Sequence, residues 1–269
     1  DVVTVSREAA YTEGSAMYLK AGEKIGLETL LYGLLLCSGN DAAVALAIVT
    51  AGSIEAFAEL MNEKAAELGL EDTHFTNPHG LYDEQHYTTA RELAIITAEA
   101  LNSEELREIF ATKSATISRG VTKDAPLGEG KRYLRNHNKM LSLYEGAIGI
   151  KTGYTKATGR CLVSAAERDG VELIAVTLSC PDDWHEHEQM LDFGFSQLER
   201  ISVLRKNEFN QSAVVIGGMA STVKLGISQD ITIIKRKSND LPTIDIDVPK
   251  ALNAPITLGD VVGKIRLKH

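Results

Sequence analysis

The chain has 269 residues, of which 44% are hydrophobic, enough for one large core or for two domains. Its formal net charge of −9 argues against a nucleic-acid-binding protein. No stretch approaches the ~18 consecutive apolar residues of a membrane helix, and no secretory signal or amphipathic tail is recognisable, so we expect membrane contact only through segments outside this sequence.

The N-terminal part is predicted to begin with a strand and to continue as helices. Residues 1–5 alternate like a strand without any lead-in, which suggests a chain cut within a domain. Apolar residues predict a helix over 22–36 and another over 42–49. The link between them is Cys37-Ser38-Gly39-Asn40-Asp41, and because Ser, Gly and Asn favour caps and turns, we expect Ser38 and Asn40 to be displayed there.

Two more helices and a long loop follow. Ser53 caps a helix that ends at Gly69, and a loop rich in His, Asn, Pro and Gly covers 71–88. Thr89 and Glu92 fit a capping box for the next helix, which runs to about residue 101 and is followed by a short one opened at residue 103.

The following part is predicted to be a sheet with one helix. Residues 115–138 are polar and Gly-rich, as in a hairpin or extended loop, and 146–154 form a strand. Two β-like runs, 161–167 and 171–178, meet across Asp169-Gly170, which favours a tight primed turn. A helix starts at residue 182 or 183. We therefore expect an α+β fold, with helices packed on an antiparallel sheet.

The pattern changes near residue 205. Short alternating runs occur at 212–216, 222–225, 231–235, 243–248 and 262–267. We predict a catalytic domain over 1–204 and a small all-β domain over 205–269.

Two motifs carry candidate chemistry, Ser38-Gly39-Asn40 and Lys151-Thr152-Gly153, roughly 110 residues apart. On a strand Lys151 and Gly153 share one face, and Gly153 leaves that face bare, so a substrate backbone can lie flat against it. Lys151 and Thr152 offer a charge and a hydroxyl to a carboxylate at the end of the strand. Either motif alone would fit a turn or a helix connection.

The two motifs, in this order, resemble those of the low-molecular-mass penicillin-binding proteins, the serine-type D-alanyl-D-alanine carboxypeptidases of the β-lactamase/transpeptidase-like superfamily. The resemblance covers nearly the whole chain. Beyond the two motifs it is carried by Ser15–Gly22, Leu36–Ala42, Leu68-Gly69-Leu70, Thr73-His74-Phe75, His79-Gly80-Leu81, Asn136-His137-Asn138-Lys139 and the stretch from Lys151 to Gly159.

The resemblance implies an enzyme that removes the terminal D-alanine from the peptidoglycan pentapeptide through an acyl-enzyme, without a cofactor, and that β-lactam antibiotics block. Its partner would be a stem peptide ending in D-Ala-D-Ala. It also implies a β-rich second domain. The expected location is extracytoplasmic, either at the outer face of the bacterial cytoplasmic membrane or secreted.

Roles for individual residues follow from the same resemblance. Ser38 would sit in the proton relay to the leaving D-alanine, and Asn40 would hydrogen-bond the substrate amide or position the motif lysine. Lys151 would neutralise the terminal carboxylate and tune the relay, while Thr152 hydrogen-bonds that carboxylate. The backbone N–H of Tyr154, beyond the clearing left by Gly153, would be one oxyanion donor.

The family's nucleophile is missing from this sequence. It belongs to a Ser-x-x-Lys motif ahead of Ser-Gly-Asn, and neither Ser6 nor Ser15 is followed by a lysine three residues on. The one match, Ser221-Thr222-Val223-Lys224, lies far downstream in a strand-like run, where residues three apart point to opposite faces. We therefore expect a further N-terminal segment of roughly 50–60 residues that carries Ser-x-x-Lys, an inference from the resemblance, and an apolar groove where it packs.

Three other hypotheses stay open. The chain could be an inactive homologue that only binds cell-wall peptide, or a β-lactamase of the same superfamily. A metallohydrolase would use His185 and His187, but His residues two apart do not face one another on a helix, which favours a solvated helix face.

The three cysteines fit no zinc or disulfide pattern and are expected to be buried free thiols. The sequence leaves open whether His79 lines the cleft.

Overall fold

The computed structural model describes residues 1–120 and 130–268. They divide into two compact units. The first comprises Asp1–Arg168 and Glu172–Phe193, and the second Asp169–Val171 and the chain from Gly194 onward. The sequence placed the division after residue 204. The difference arises because the strand Leu198–Leu204 pairs with a later strand, Ile231–Arg236, and therefore belongs to the second unit.

The first unit combines helices with three small antiparallel sheets. Its helices are α1 (Arg7–Ala10), α2 (Leu27–Cys37), α3 (Asn40–Ala51), α4 (Ile54–Glu67), α5 (Ala90–Ala100), α6 (Glu104–Ala111), α7 (Met140–Leu143) and α8 (Asp183–Gln197), the last of which runs on into the second unit. Its strands are β1 (Val2–Thr4), β2 (Lys24–Gly26), β3 (Ser114–Ser118), β4 (Lys131–Arg135), β5 (Ala147–Thr155), β6 (Gly159–Arg168) and β7 (Val171–Thr177).

The strands pair as β1-β2, β3-β4 and β5-β6-β7. Asp169 and Gly170, between β6 and β7, both have positive φ, as the predicted primed turn requires. The predicted helix over 22–36 is wrong at its start, because residues 24–26 pair with β1 before α2 begins. The predicted hairpin over 115–138 contains β3 and β4, and its middle, 121–129, lies outside the described residues.

Helices α2 and α3 form the core of this unit. Along α3 every residue from Asn40 to Ala47 is buried, which explains an apolar pattern without a polar face. The largest cluster of buried apolar side chains joins these helices to the two small sheets and includes Val3, Met17, Ile25, Leu30, Leu36, Val44, Ile109 and Leu134. The link between α2 and α3 is therefore fixed on both sides by buried helices.

Side-chain caps fix the helix starts, with one departure from the prediction. Thr89 Oγ1 accepts from the Glu92 backbone N–H at 3.2 Å, as in a capping box. The Glu92 carboxylate does not complete the box. It accepts instead from the backbone N–H groups of Glu71 and Asp72 and from the Thr73 hydroxyl. Glu92 therefore anchors the loop 71–88 to α5.

The second unit is built of strands. These are β8 (Leu198–Leu204), β9 (Gln211–Ile216), β10 (Thr222–Leu225), β11 (Ile231–Arg236), β12 (Thr243–Asp247), β13 (Ala251–Asn253) and β14 (Lys264–Lys268), with a single 3-10 turn at Lys206–Glu208. They form the sheets β10-β9-β13, β11-β8 and β12-β14, and β13 runs parallel to β9. All five predicted runs contain a strand, while β8 and β13 were not predicted.

No single helix among the described residues is long and apolar enough to span a membrane. Taken together, α3 and α4 reach the required length and composition, but a bend of 81° separates them.

Candidate active site

The two sequence motifs meet in the first unit. The Lys151 ammonium on β5 donates to the Ser38 hydroxyl at the end of α2, and it also donates to the backbone carbonyl of Thr152 at 3.0 Å. The motifs are 113 positions apart along the chain, so the contact is made by the fold and not by local sequence.

The backbone at the α2–α3 link holds Ser38 in an uncommon conformation. Ser38 has φ 57° and ψ 40°, the left-handed region, which costs a residue other than glycine about 1–3 kcal/mol. Gly39 follows where no side chain fits, since a Cβ there would lie 2.8 Å from Asp41 Oδ1 and 3.2 Å from the Gly33 carbonyl. The tight turn that presents the Ser38 hydroxyl therefore requires glycine at position 39.

Asn40 begins α3 and is buried. Its side-chain amide donates to the Glu13 carbonyl at 2.7 Å, and its backbone N–H donates to the Ser15 carbonyl at 2.7 Å. Asn40 therefore pins residues 13–15 beside the link. Within the described residues no hydrogen bond joins Asn40 to Lys151, and the Asn40 Oδ1 has no hydrogen-bond partner.

The segment around Met17 is held by two buried charged side chains, Asp41 and Arg132, to which no role is assigned in the sequence analysis. The Asp41 carboxylate accepts from the backbone N–H groups of Met17 and Leu19 at 3.0 and 2.9 Å. Arg132 on β4 donates to the Met17 carbonyl at 2.9 Å and forms a two-pronged pair with Glu23 at 2.7 and 2.8 Å.

The Glu23–Arg132 pair is almost fully buried. Burial on its own raises the pKa of Glu23, but the hydrogen bonds from Arg132 and from the Lys20 backbone outweigh it, and the pKa is lowered. A carboxylate that stays ionised in this way keeps Arg132 bound, and Arg132 in turn fixes the backbone beside the link.

On β5 the side chains alternate as the motif predicts. Lys151 pairs with Val163 and Gly153 with Cys161, so Lys151 and Gly153 share one face. A Cβ built on Gly153 has Cys161 Cβ as its nearest neighbour, at 3.8 Å, so the space above this face is open. Thr152 and Tyr154 alternate to the other face, and the Tyr154 ring is largely exposed. The strand thus offers a bare stretch of backbone directly beyond a cation.

Burial shapes the charge of the site. It lowers the pKa of Lys151 from 10.5 to about 8, and the nearby Cys37 thiol opposes this shift weakly. Burial and the Asp41 charge raise the pKa of Cys37, so the thiol stays protonated near neutral pH. Burial, and after it the positive charge of Lys151, lowers the pKa of the His137 imidazole. Lys151 can therefore act either as a cation or as a proton carrier within about one pH unit of pH 8.

The metal hypothesis does not fit His187. This residue is fully buried, and its ring nitrogens lie 2.8 Å from the Ser164 hydroxyl and 3.0 Å from the Thr177 hydroxyl, so both are engaged. Among the described residues no group of three or more His, Cys, Asp or Glu side chains could hold a metal ion. The expectation that this helix face is solvated is wrong for His187, although His185 is exposed.

The remaining candidates lie as follows. His79 is partly buried, and the Leu81 side chain in the same loop lies 3.8 Å from a Cβ built on Gly14, where the Asn40 amide also packs. All three cysteines are free but only half-buried, so the expectation of buried thiols is wrong in that respect. Ser221 precedes β10 and Lys224 lies on it, both exposed and both in the second unit.

Comparison with known proteins agrees with this geometry. Residues 1–182 match the family model described as D-alanyl-D-alanine carboxypeptidase, and residues 198–269 match the penicillin-binding protein 5 C-terminal domain. The chain is 34% identical to the D-alanyl-D-alanine carboxypeptidase DacF of Bacillus subtilis, covering 100% of this chain and 68% of that protein. It is 31% identical to DacA of Haemophilus influenzae, covering 98% and 67%.

Solved structures give the same result. The D-alanyl-D-alanine carboxypeptidase DacD from Francisella tularensis superposes with a TM-score of 0.71 at 27% identity, over 99% of this chain and 76% of that one. The Streptomyces K15 DD-transpeptidase superposes with a TM-score of 0.67 at 33% identity, over 72% of this chain and 79% of that one.

Proposed function

The chain belongs to the D-alanyl-D-alanine carboxypeptidase family, and from this premise we propose that it provides the substrate-binding strand and the proton relay of a serine-type D,D-carboxypeptidase. The contact between Lys151 and Ser38, at the start of the bare stretch around Gly153, is the observation that carries the proposal. It joins a cation, a relay hydroxyl and an open strand. These are the parts that binding and cleaving a peptide with a free carboxylate require.

In this proposal β5 binds the end of a peptidoglycan stem peptide. Lys151 neutralises the terminal carboxylate, and the Thr152 hydroxyl donates a hydrogen bond to it. The peptide backbone lies against Gly153, and the backbone N–H of Tyr154 donates to the oxyanion that forms at the scissile carbonyl. Asn40, through its free Oδ1, accepts from the substrate amide.

Bond breaking then needs a proton for the leaving group. As the C–N bond between the two D-alanines breaks, the nitrogen of the leaving D-alanine takes a proton by way of the Ser38 hydroxyl, which Lys151 supplies in turn. A pKa of about 8 suits Lys151 to this task, because a proton carrier works best with a pKa near the working pH.

We further propose that the nucleophile belongs to a Ser-x-x-Lys segment outside residues 1–269. Ser38 has no lysine three residues on. Ser221 directly precedes β10 and Lys224 lies on it, and along a strand residues three apart point to opposite faces. The nucleophile hydroxyl would pass its proton to the lysine of that segment as its oxygen bonds to the peptide carbonyl carbon. D-alanine would leave with the proton delivered through Ser38, and water would then hydrolyse the acyl-enzyme. We call residues 1–269 together with this segment the complete enzyme.

The family consists of bacterial cell-wall enzymes that act outside the cytoplasm. We propose that the complete enzyme acts at the outer face of the cytoplasmic membrane or after secretion, and that β-lactams acylate it in place of the stem peptide. No observation in the described residues favours the inactive homologue or the β-lactamase over this function.

A labelled penicillin tests the proposal. The complete enzyme and the 1–269 polypeptide are each treated, and the mass of every polypeptide is measured. We expect label on the serine of the Ser-x-x-Lys segment and none on residues 1–269. Label at Ser38 or Ser221 would contradict the assignment of the nucleophile, and failure of the complete enzyme both to bind label and to release D-alanine would refute the proposed function.

A further inference from the structure

The outer side of the hairpin formed by β3 and β4 carries cations, hydroxyls and one aromatic ring. Side chains alternate along both strands, and each exposed residue of β4 lies opposite an exposed residue of β3. Tyr133, in the middle of β4, is 80% exposed, so its ring is open to a ligand. We call this surface the β3–β4 face, and its six residues pair as Ser114 with Arg135, Thr116 with Tyr133 and Ser118 with Lys131.

The inner side of the hairpin fixes both strands. Leu134 belongs to the largest apolar cluster, against which Ala115 and Ile117 pack. Arg132 forms the buried pair with Glu23. The β3–β4 face is therefore a firmly held platform, and its own side chains can be changed without disturbing the core.

The β3–β4 face ends beside the candidate active site. Arg135 is the last residue of β4, and the backbone N–H of His137, two positions further on, donates at 3.0 Å to the Leu36 carbonyl. Leu36 lies two residues before Ser38, near the end of α2. A ligand longer than the reacting peptide would therefore meet the β3–β4 face next to the site.

The two cations of this face are not neutralised by the described part of the chain. Among those residues no carboxylate forms an ion pair with Lys131 or Arg135. The protein as a whole has a net charge of −9, so this face departs locally from the charge of the molecule. A strand advances about 3.3 Å per residue, which puts the Cα atoms of Lys131 and Arg135 roughly 13 Å apart, with Tyr133 between them.

The strand β14 provides a comparison within the same chain. It also exposes alternating cations, but its partner β12 supplies carboxylates opposite them. Lys268 pairs with Asp245 at 2.8 Å, and Arg266 pairs with Asp247 at 3.0 Å. On the β3–β4 face the opposite strand supplies only hydroxyls. This face is therefore complementary to an anionic, hydroxyl-bearing ligand from outside the described chain.

We propose, on the basis of the proposed function, that the β3–β4 face binds the peptidoglycan strand to which the reacting stem peptide is attached. Such a strand is a chain of sugar rings with stem peptides attached, and each stem that is not crosslinked ends in a free carboxylate. Carboxylates of neighbouring stem peptides accept from Lys131 and Arg135. A sugar ring packs its C–H groups on the electron-rich face of the Tyr133 ring. The face thereby favours polymeric substrate over a short free peptide.

The kinetics of the complete enzyme on two substrates test this proposal. D-alanine release is measured on a short synthetic peptide ending in D-Ala-D-Ala and on a soluble, uncrosslinked peptidoglycan strand. At low salt we expect Lys131→Ser/Arg135→Ser to raise KM for the strand about 3- to 20-fold, because two exposed ion pairs are lost, while kcat, KM for the peptide and Tm stay unchanged. High salt should remove most of the difference. Tyr133→Ser should also raise KM for the strand, whereas Tyr133→Phe, which keeps the ring, should not.

Lys264→Ser/Lys268→Ser is the matched control. It removes two exposed cations with the same spacing, from a strand whose partner supplies carboxylates. We expect it to leave KM for both substrates unchanged. If KM for the strand stays at the parent value in Lys131→Ser/Arg135→Ser, or rises equally in the two double variants, the proposal is overturned.

A binding measurement separates this proposal from the proposed function. The 1–269 chain and the same variants are sedimented with insoluble peptidoglycan and, in parallel, with beads of carboxymethyl cellulose, an acidic polysaccharide without stem peptides. We expect peptidoglycan to retain the parent chain better than Lys131→Ser/Arg135→Ser. Equal retention of the parent chain by carboxymethyl cellulose would show recognition of charge alone and would overturn the assignment to peptidoglycan. If the complete enzyme releases no D-alanine from either substrate, the proposed function fails, and sedimentation still decides whether the β3–β4 face binds the polymer.

Discussion

Replacing Lys151 by Met should lower activity and raise stability at the same time. Met keeps the length of the apolar stem and removes the ammonium that donates to Ser38. A hydrogen bond to a charged group contributes roughly 1.5–3 kcal/mol, so we expect the rate of D-alanine release by the complete enzyme to fall about 10- to 150-fold. The change should appear in kcat/KM, because in the proposed function both carboxylate binding and the relay depend on this cation.

The stability change follows from the lowered pKa of Lys151. In the unfolded chain the lysine holds its proton up to 10.5, and in the folded chain only up to about 8. Burying the charge therefore destabilises the fold fully below pH 8, and this effect fades as the pH rises towards 10.5. At pH 7 the difference is on the order of 3 kcal/mol, an upper value, which Lys151→Met should recover in urea unfolding.

Lys224→Met is the matched control. Lys224 is exposed on β10, where a substitution changes stability by about 0.5 kcal/mol or less. We therefore expect neither the rate of D-alanine release nor the stability in urea to change appreciably. Equal losses of D-alanine release in the two variants would refute the assignment of Lys151. If the Lys151→Met chain is less stable to urea than the parent chain at pH 7, and the two chains are equally stable at pH 10, the electrostatic reasoning is refuted.

Three further predictions test parts of the same unit. Because burial lowers the pKa of His187 to about 4, the fold should lose roughly 2–3 kcal/mol between about pH 7.5 and 4.5 through this group, and urea unfolding of His187→Gln should lack that part of the pH dependence while His185→Gln retains it. Gly153→Val should fit the strand, since a Cβ there meets only a contact at 3.8 Å, yet it should slow penicillin acylation of the complete enzyme more than tenfold with no change in Tm; unchanged acylation would mean that substrate does not lie there. Arg132→Met leaves Glu23 buried without its partner and should cost roughly 3–5 kcal/mol in urea unfolding, whereas a loss below about 1 kcal/mol would show that water reaches Glu23.

The parts of the site that the sequence predicts are those encoded locally. Ser38 and Asn40 stand out because Ser, Gly and Asn interrupt two apolar helical stretches, and Lys151 and Gly153 because strand alternation puts them on one face. Local patterns also predict the primed turn at Asp169-Gly170 and the end of α4 before Gly69. In each case a few neighbouring residues determine the backbone.

The parts that could not be predicted depend on contacts between distant segments. Glu23 and Arg132 are 109 positions apart, and nothing around either residue marks it as buried. His187 looks like a surface residue within a charged run, and only the fold reveals that Ser164 and Thr177 enclose its ring. The strand β8 follows α8 directly, and its partner β11 begins only at Ile231. Local periodicity therefore did not reveal that the second unit begins before residue 205. Tertiary pairing overrides local pattern at these places.

Two destabilising features of the first unit, a strained backbone and a buried charge, occur at the contact between Ser38 and Lys151. Their coincidence argues for a chemical role of this contact. Ser38 adopts a left-handed backbone conformation, and Lys151, bound to it, carries a charge that burial disfavours. A merely structural contact at this place could be made by a glycine and an apolar side chain without either cost. The strain is sustained by Asp41 and Arg132, which fix the neighbouring backbone through buried hydrogen bonds. In the proposed function, a strained serine, a lysine with a pKa near the working pH and an open strand beside them form a site prepared for proton transfer before any substrate arrives.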